Sequence, residues 1–129
     1  MPKGNARVIV ITGATRGLGR ALTEGFIAQD HTVDCARELE EAQALLDNIR
    51  YDLVIADLRL SGIHGAEGLD LVSMVRACCP RTRIIVLTAY SSADVAQEAL
   101  RRGADAFLHK STALSDVARV AMQVLGCAA

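Results

Sequence analysis

The amino-acid sequence predicts a doubly wound α/β domain, in which helices cover both faces of a parallel β-sheet. Five short segments rich in apolar residues alternate along the chain with segments whose apolar residues recur at helical spacing. Such alternation is typical of parallel sheets, because each helix forms the crossover to the next strand. The length of 129 residues suffices for one domain, residues 1–129, and leaves little room for a second.

The predicted strands are short and rich in β-branched residues. They comprise residues 8–11, 32–36, 53–56, 84–87 and 106–109. The first contains four consecutive β-branched residues, which favour an extended chain, and it is too short for a buried helix. The second strand has a weaker pattern than the first.

Each segment between or after these strands carries one apolar face at helical spacing. The faces comprise Leu18, Ala21, Leu22 and Phe26; Leu39, Ala42, Leu45, Leu46 and Ile49; Leu69, Val72 and Val75; Val95, Ala96, Ala99 and Leu100; and Leu114, Val117, Ala118, Ala121, Val124 and Leu125. Pro80 ends the third helix, and Gly103 stands where a glycine closes the fourth. Ser111 or Thr112 is the predicted N-cap of the fifth helix.

The composition excludes several classes of protein. Apolar residues make up 51% of the chain and charged residues 22%, which excludes intrinsic disorder as the main state. The net charge is −1 and aromatic residues are 3%, so nucleic acid is not an expected partner. No run is long enough to span a membrane and no signal peptide opens the chain, so we expect a cytoplasmic protein. The four cysteines form no CxxC pair, and a monomer or weak dimer is expected.

Polar residues at the ends of three predicted strands are the strongest candidates for a site. Asp57 follows the third strand in YDLVIADLRLSG, Thr88 follows the fourth in RIIVLTAYSS, and Lys110 follows the fifth in GADAFLHKS. Ligands of doubly wound sheets bind at the carboxyl ends of the strands. An exposed carboxylate beside a cation and hydrogen-bond donors can act as a nucleophile toward phosphorus. Alternatively, Asp57 is an ordinary solvated carboxylate and Lys110 its ion-pair partner.

These residues, in this order and spacing, resemble the receiver domain of bacterial response regulators over residues 31–125. The resemblance implies a flavodoxin-like fold with strand order 2-1-3-4-5, a signalling role without catalytic turnover, and a histidine kinase as partner. By resemblance Asp57 is the phosphoacceptor, Thr88 binds a phosphoryl oxygen and Lys110 pairs with its charge. Phe107 is then the aromatic switch residue. His109 is predicted to be an ordinary packed or surface histidine.

Two positions depart from the pattern of that family. The family holds Mg²⁺ with an acidic pair at the end of the first strand, and those positions fall on Thr12 and Gly13. Neither supplies a carboxylate, so Asp57 alone is expected to bind Mg²⁺ weakly and phosphorylation to be impaired. The family also has a proline after the lysine, usually with a cis bond, where this chain has Ser111. We therefore predict a trans bond between Lys110 and Ser111.

The N-terminal segment, about residues 6–30, has a second resemblance. Residues 7–29 read RVIVITGATRGLGRALTEGFIAQ, which is similar to the T-G-x-x-x-G-x-G cofactor fingerprint of short-chain dehydrogenases/reductases. Glycines in such a loop allow a tight turn and close approach to a pyrophosphate. The cofactor-binding candidates are Thr12, Gly13, Arg16, Gly17, Leu18, Gly19 and Arg37, with NADP as the implied ligand. The Tyr-x-x-x-Lys motif of that family is absent, so no reductase reaction is expected.

Two origins remain open at this point. One is a chimera, engineered or recombined, in which a dehydrogenase-like first unit, residues 1–30, joins a receiver-like body, residues 31–129. Asp30 lies near the junction, where a helix end usually prefers glycine. The other is a natural receiver whose first loop became rich in glycine. The corresponding functions are an impaired receiver domain or, alternatively, an NAD(P)- or phosphate-binding module; a third alternative is a scaffold without a ligand.

Overall fold

The apolar segments form the strands of one sheet, and the amphipathic segments form the helices that cover it. The computed structural model describes residues 7–12, 17–58, 64–89 and 93–126. In chain order the elements are β1 (Val8–Thr12), α1 (Gly17–Ala28), β2 (Thr32–Ala36), α2 (Leu39–Asn48), β3 (Leu53–Leu58), α3 (His64–Cys78), β4 (Arg83–Thr88), α4 (Ala93–Arg101), β5 (Ala106–His109) and α5 (Leu114–Val124).

The five strands are parallel and lie in the order β2-β1-β3-β4-β5, which confirms the predicted fold. In the register of β3 and β4, Asp57 lies opposite Leu87 and Leu58 opposite Thr88. In the next pair, Thr88 lies opposite His109. Asp57 is thus inside β3, not after it as predicted, because the hydrogen-bonded ladder continues two residues beyond the apolar run.

Alternating side chains of the strands divide the core between the two faces of the sheet. Ile9 and Ile11 of β1 pack with α1 and α5, whereas Val10 packs on the face covered by α2, α3 and α4. Strands β3 and β4 are almost completely buried, as central strands of a doubly wound sheet are. Burying a Val, Leu or Ile side chain contributes roughly 1.5–3 kcal/mol, so these strands give the site a rigid base.

Arg76, in the last turn of α3, bonds to the loops that lead into β4 and β5, at the opposite end of the sheet from the predicted site. Its guanidinium donates hydrogen bonds to the carbonyl oxygens of Pro80 (2.9 Å), Thr82 (3.0 Å) and Gly103 (2.7 Å). It also pairs with the carboxylate of Asp105 at 3.0 Å. As predicted, Gly103 follows α4, and it has a φ of 117°. A Cβ at Gly103 would lie 2.8 Å from Cγ and Nε of Arg76.

Two helix termini, the end of α1 and the start of α5, can be compared with what their sequences predict. After α1, Asp30 adopts a left-handed φ of 70°, a conformation that aspartate tolerates better than most residues. The N-cap of α5 is Ala113, which makes no side-chain capping bond, so the prediction of Ser111 or Thr112 was wrong. Both residues are engaged elsewhere: the Thr112 N–H bonds to the His109 carbonyl, and the Ser111 hydroxyl contacts the His109 ring.

His31 is a buried titratable residue between α1 and β2. Its ring packs edge-on against Phe26, with ring centroids 5.8 Å apart. The Nδ1 atom accepts a hydrogen bond from the backbone N–H of Arg7 at 3.0 Å. Burial, followed by the charge of Arg7, lowers the pKa of His31 below its usual 6.5, although Asp30 opposes the shift. The folded protein therefore favours the neutral ring.

Folding stability is expected to decrease as the pH falls below about 6.5, because the unfolded chain binds the His31 proton more readily. Above that pH both states are neutral at this residue and its contribution is constant. In the variant His31→Asn a side-chain oxygen can still accept the Arg7 N–H, but it does not titrate. Urea unfolding between about pH 8 and pH 5 should therefore give a smaller pH dependence for the variant. Equal slopes for the two proteins would contradict this assignment.

Candidate functional site

The carboxylate of Asp57 lies at the carboxyl edge of the sheet, at the penultimate position of β3. Its side chain is 14% exposed, and the Nζ atom of Lys110 lies 2.6 Å from Oδ1. Oδ1 is excluded from solvent and accepts no hydrogen bond of regular geometry among the described residues, so the contact with Lys110 is an ion-pair contact. The Lys110 side chain is 35% exposed, so solvent reaches the lysine side of the pair.

The backbone brings Lys110 and Thr88 to the same place as Asp57. Thr88 is the last residue of β4 and is fully buried. Its carbonyl oxygen accepts a hydrogen bond of 2.7 Å from the backbone N–H of Lys110. Because β4 lies between β3 and β5, this bond places the lysine beside the end of β3. The structure thus brings together three of the predicted site residues.

Thr12, at the end of β1, belongs to the same site but supplies no charge. Its hydroxyl accepts a hydrogen bond of 2.8 Å from the backbone N–H of Asp57 and lies 3.5 Å from the carbonyl oxygen of Ile55. The side chain of Thr12 therefore holds the peptide that carries the Asp57 carboxylate. This contact was not predicted, since the order of the strands does not show which backbone group the Thr12 hydroxyl will meet.

Few groups in this site suit a hard cation such as Mg²⁺. No cluster of three or more His, Cys, Asp or Glu side chains able to hold a metal occurs within the described parts of the chain. The sequence contains no Asp or Glu before Glu24, so the segment around Gly13, outside the described residues, supplies none. The Asp57 carboxylate is already paired with Lys110. Magnesium usually binds through carboxylates and water, so these residues fit the ion poorly.

Phe107 lies in β5 and is partly buried against the apolar cluster that α2, α3 and α4 cover. Its side chain is therefore on the α4 side of the sheet. That location suits the aromatic switch that the sequence resemblance implies, and the role itself stays a prediction.

His109, the last residue of β5, makes contacts that were not predicted. Its Nε2 atom lies 2.9 Å from the carbonyl oxygen of Ala89, just after β4. Its Nδ1 atom lies 3.0 Å from the backbone nitrogen and 2.7 Å from the hydroxyl of Ser111. The one signal in the sequence was its position directly before Lys110. The described chain contains no cis peptide bond, so the bond between Lys110 and Ser111 is trans, as predicted.

The predicted cofactor-binding residues are described only in part. Gly13 and Arg16 lie outside the described residues, and the side chain of Leu18 is likewise not described. Gly17 begins α1, and the carbonyl oxygen of Gly19 in its first turn accepts a hydrogen bond from the Thr23 hydroxyl. Arg37 is exposed just beyond β2, the edge strand farthest from β5.

Comparison with known proteins points to one family. The model of the response regulator receiver domain matches residues 9–121. The chain is 30% identical over 124 residues to the response regulator protein FleR of Pseudomonas aeruginosa, covering 94% of this chain and 25% of FleR. It is 41% identical over 75 residues to PilR of the same organism, covering 58% of this chain and 16% of PilR. The chain thus spans a quarter or less of these two relatives.

Solved structures share the fold. A CheY-like receiver domain protein from Methanospirillum hungatei superposes with a TM-score of 0.83 at 21% identity, and the match covers 95% of both chains. A response regulator from Burkholderia pseudomallei, solved with a phosphorylated aspartic acid, calcium ion and citrate, has a TM-score of 0.76 at 25% identity. That match covers 87% of this chain and 64% of the other.

The same comparisons bear on the N-terminal segment. The family match begins at residue 9, and the similarity to FleR covers nearly the whole chain, so both include most of the segment that resembles a dehydrogenase. They give no support to a chimera or to a dinucleotide-binding function. Among the described residues no helix is long and apolar enough to cross a membrane. With its sheet order, its Asp57–Lys110 pair and a family match over residues 9–121, this chain belongs to the response regulator receiver domains.

Proposed function

We propose that this receiver domain accepts a phosphoryl group on Asp57 and that its Mg²⁺-dependent phosphorylation is impaired, because Thr12 and Gly13 replace the acidic pair. The observation that carries the proposal is the position of Lys110 Nζ, 2.6 Å from Oδ1 of Asp57 at the carboxyl edge of the sheet. A fixed ammonium beside a carboxylate stabilises the charge that arrives with a phosphoryl group.

The chemistry needs three groups of this chain. A carboxylate oxygen of Asp57 attacks phosphorus, and the bond between phosphorus and the leaving group of the donor breaks. The leaving group departs with the electron pair and takes a proton from solvent. Lys110 neutralises charge on the phosphoryl oxygens, and the Thr88 hydroxyl serves as a hydrogen-bond donor to one of them. We propose a histidine kinase as the physiological donor, its leaving group being a ring nitrogen.

The metal does not enter these steps, because the site fits it poorly. Without an acidic pair, the positive charge at the acceptor comes from Lys110 alone among the contacts described for Asp57. A single ammonium compensates less of the phosphoryl charge than an ammonium and a divalent cation together. The phosphorylated state is therefore expected to form slowly. The phosphorylated aspartic acid in the similar Burkholderia structure supports an aspartate as the type of residue that accepts the group.

Treatment with acetyl phosphate and Mg²⁺ tests the proposal. The intact mass of the wild-type chain should increase by about 80 Da in a slow, incomplete reaction, as expected for one phosphoryl group. The variant Asp57→Asn should show no increase, because the amide is not a nucleophile toward phosphorus.

A matched control is Asp116→Asn, which removes an exposed carboxylate at the start of α5 whose ion-pair partner among the described residues is Arg119. This variant should be modified like the wild type. An adduct that persists in Asp57→Asn would assign the phosphoryl group to another residue. A wild-type chain that stays unmodified at every Mg²⁺ concentration would overturn the proposed function.

A further inference from the structure

The ring of His109 connects the two loops that follow β4 and β5. Its two nitrogens contact Ala89 on one side and Ser111 on the other. Ala89 directly follows Thr88, and Ser111 directly follows Lys110. The ring therefore lies between the neighbours of two residues assigned to the phosphoryl site.

The hydrogen bonds determine which nitrogen carries the proton. The backbone N–H of Ser111 can only donate, so Nδ1, 3.0 Å away, accepts with its lone pair. A neutral ring then carries its proton on Nε2, which donates to the Ala89 carbonyl oxygen at 2.9 Å. Both ring nitrogens are thus used, and the two bonds together fix the orientation of the ring.

This arrangement restrains Lys110 from both sides. The lysine N–H is bonded to the Thr88 carbonyl, and the residue after it is bonded to a ring that is itself bonded to Ala89. The trans bond to Ser111 lacks the constraint that a proline ring would impose on this turn. The hydrogen bonds of His109 supply a constraint in its place.

We propose that His109 is a positioning residue, which ties the Lys110 turn to the loop after β4 and so keeps Nζ within reach of Asp57. Its effect on phosphorylation rests on the proposed function, but its effect on Lys110 does not. The lysine pairs with Asp57 whether or not a phosphoryl group is ever transferred.

The two lysines of this chain allow a direct test. Lys3 and Lys110 are the only ones in the sequence, so an amine-reactive N-hydroxysuccinimide ester labels two side chains that peptide mass analysis distinguishes. In His109→Phe the ring loses both hydrogen bonds, and Lys110 should be labelled about 3- to 10-fold faster than in the wild type, the factor expected for one or two lost bonds. Labelling of Lys3 should not change.

Two amide variants each retain one of the two hydrogen bonds and so distinguish their contributions. In His109→Asn the side-chain oxygen stands near the position of Nδ1 and can accept the Ser111 N–H. In His109→Gln the amide nitrogen can reach the Ala89 carbonyl. The Lys110 labelling rate of each should fall between those of the wild type and His109→Phe. The variant Ser111→Ala removes the hydroxyl but keeps the backbone donor, and it should label like the wild type. Labelling in His109→Phe equal to the wild type, or no recovery in either amide variant, would overturn the proposal.

Phosphorylation by acetyl phosphate supplies the second measurement. His109→Phe should slow the reaction of Asp57 about 3- to 10-fold in the wild-type background and have no further effect in Lys110→Ala, since a positioning residue acts through its target. Equal slowing in both backgrounds would show that His109 does not act through Lys110. A wild-type chain that takes up no phosphoryl group would refute the proposed function, while the labelling rates would still decide whether His109 positions Lys110.

Discussion

Introducing the two carboxylates that the family carries, as the double variant Thr12→Asp/Gly13→Asp, is expected to raise the affinity for Mg²⁺ about 10- to 100-fold, which corresponds to about 1.4–2.8 kcal/mol. The reason is that two carboxylates would join Asp57 at the ends of adjacent strands, and Mg²⁺ binds oxygen ligands of this kind. Without the ion the same charges repel one another, so the variant should melt at a lower temperature than the wild type in a chelator.

Thermal melting over a series of Mg²⁺ concentrations measures this gain, because a ligand that binds only the folded state raises the melting temperature as it saturates. The uncharged variant Thr12→Asn/Gly13→Asn is the matched control and should respond to Mg²⁺ as weakly as the wild type. Phosphorylation by acetyl phosphate should accelerate only in the acidic variant. If the wild type already responds to Mg²⁺ as strongly as the acidic variant, the site holds the ion without an acidic pair.

The second large effect concerns stability at the opposite end of the sheet. Gly103→Ala is expected to destabilise the fold by about 3 kcal/mol, since an L-residue is strained at a φ of 117° and its Cβ would collide with Arg76. Displacing the guanidinium also weakens its bonds to the carbonyls of Gly103 and Thr82 and to the carboxylate of Asp105. Urea unfolding at neutral pH measures the loss.

Two other glycines separate the causes. Gly126 also has a positive φ, of 74°, but no atom of the described residues lies within 4 Å of the position a Cβ would take, so Gly126→Ala should lose only the strain, about 1–2 kcal/mol. Gly25 is inside α1, and its Cβ position likewise has no neighbour within 4 Å in the described parts of the chain, so Gly25→Ala should stabilise the helix by about 0.5–1 kcal/mol. If Gly103→Ala cost no more than Gly126→Ala, the close approach of Arg76 would not matter.

The local patterns were sufficient to predict the strands and the helices, and the resemblance to receiver domains implied the order of the sheet. They also predicted that Asp57, Thr88 and Lys110 would meet, because the ends of parallel strands share one edge. The contacts of Thr12, Arg76 and His109 were not predictable. Each contact either joins residues that are far apart in the sequence or depends on which atoms a loop places within hydrogen-bonding distance. Arg76 and Gly103, for example, are 27 residues apart and have no shared periodicity.

The glycine-rich start of the chain shows a different limit. Its motif describes a buried strand that runs into a helix through a turn containing glycine, and both families begin with such a unit. A pattern of this kind therefore could not decide between the two origins. The neighbours of the unit identify the type of sheet and not the origin of the segment: β1 pairs with β2 on one side and β3 on the other, and Thr12 bonds to the peptide of Asp57.

The two charged residues of the site, Asp57 and Lys110, belong to parts of the sheet that are protected from local unfolding to different degrees. Asp57 is on β3, which is hydrogen-bonded to strands on both sides, whereas Lys110 follows β5, a four-residue strand at the edge with a single neighbour. Edge strands open locally at a lower free-energy cost than central ones, so amide hydrogens of β5 should exchange with solvent faster than those of β3. The cationic half of the site can then detach and re-form while the carboxylate stays in an intact core.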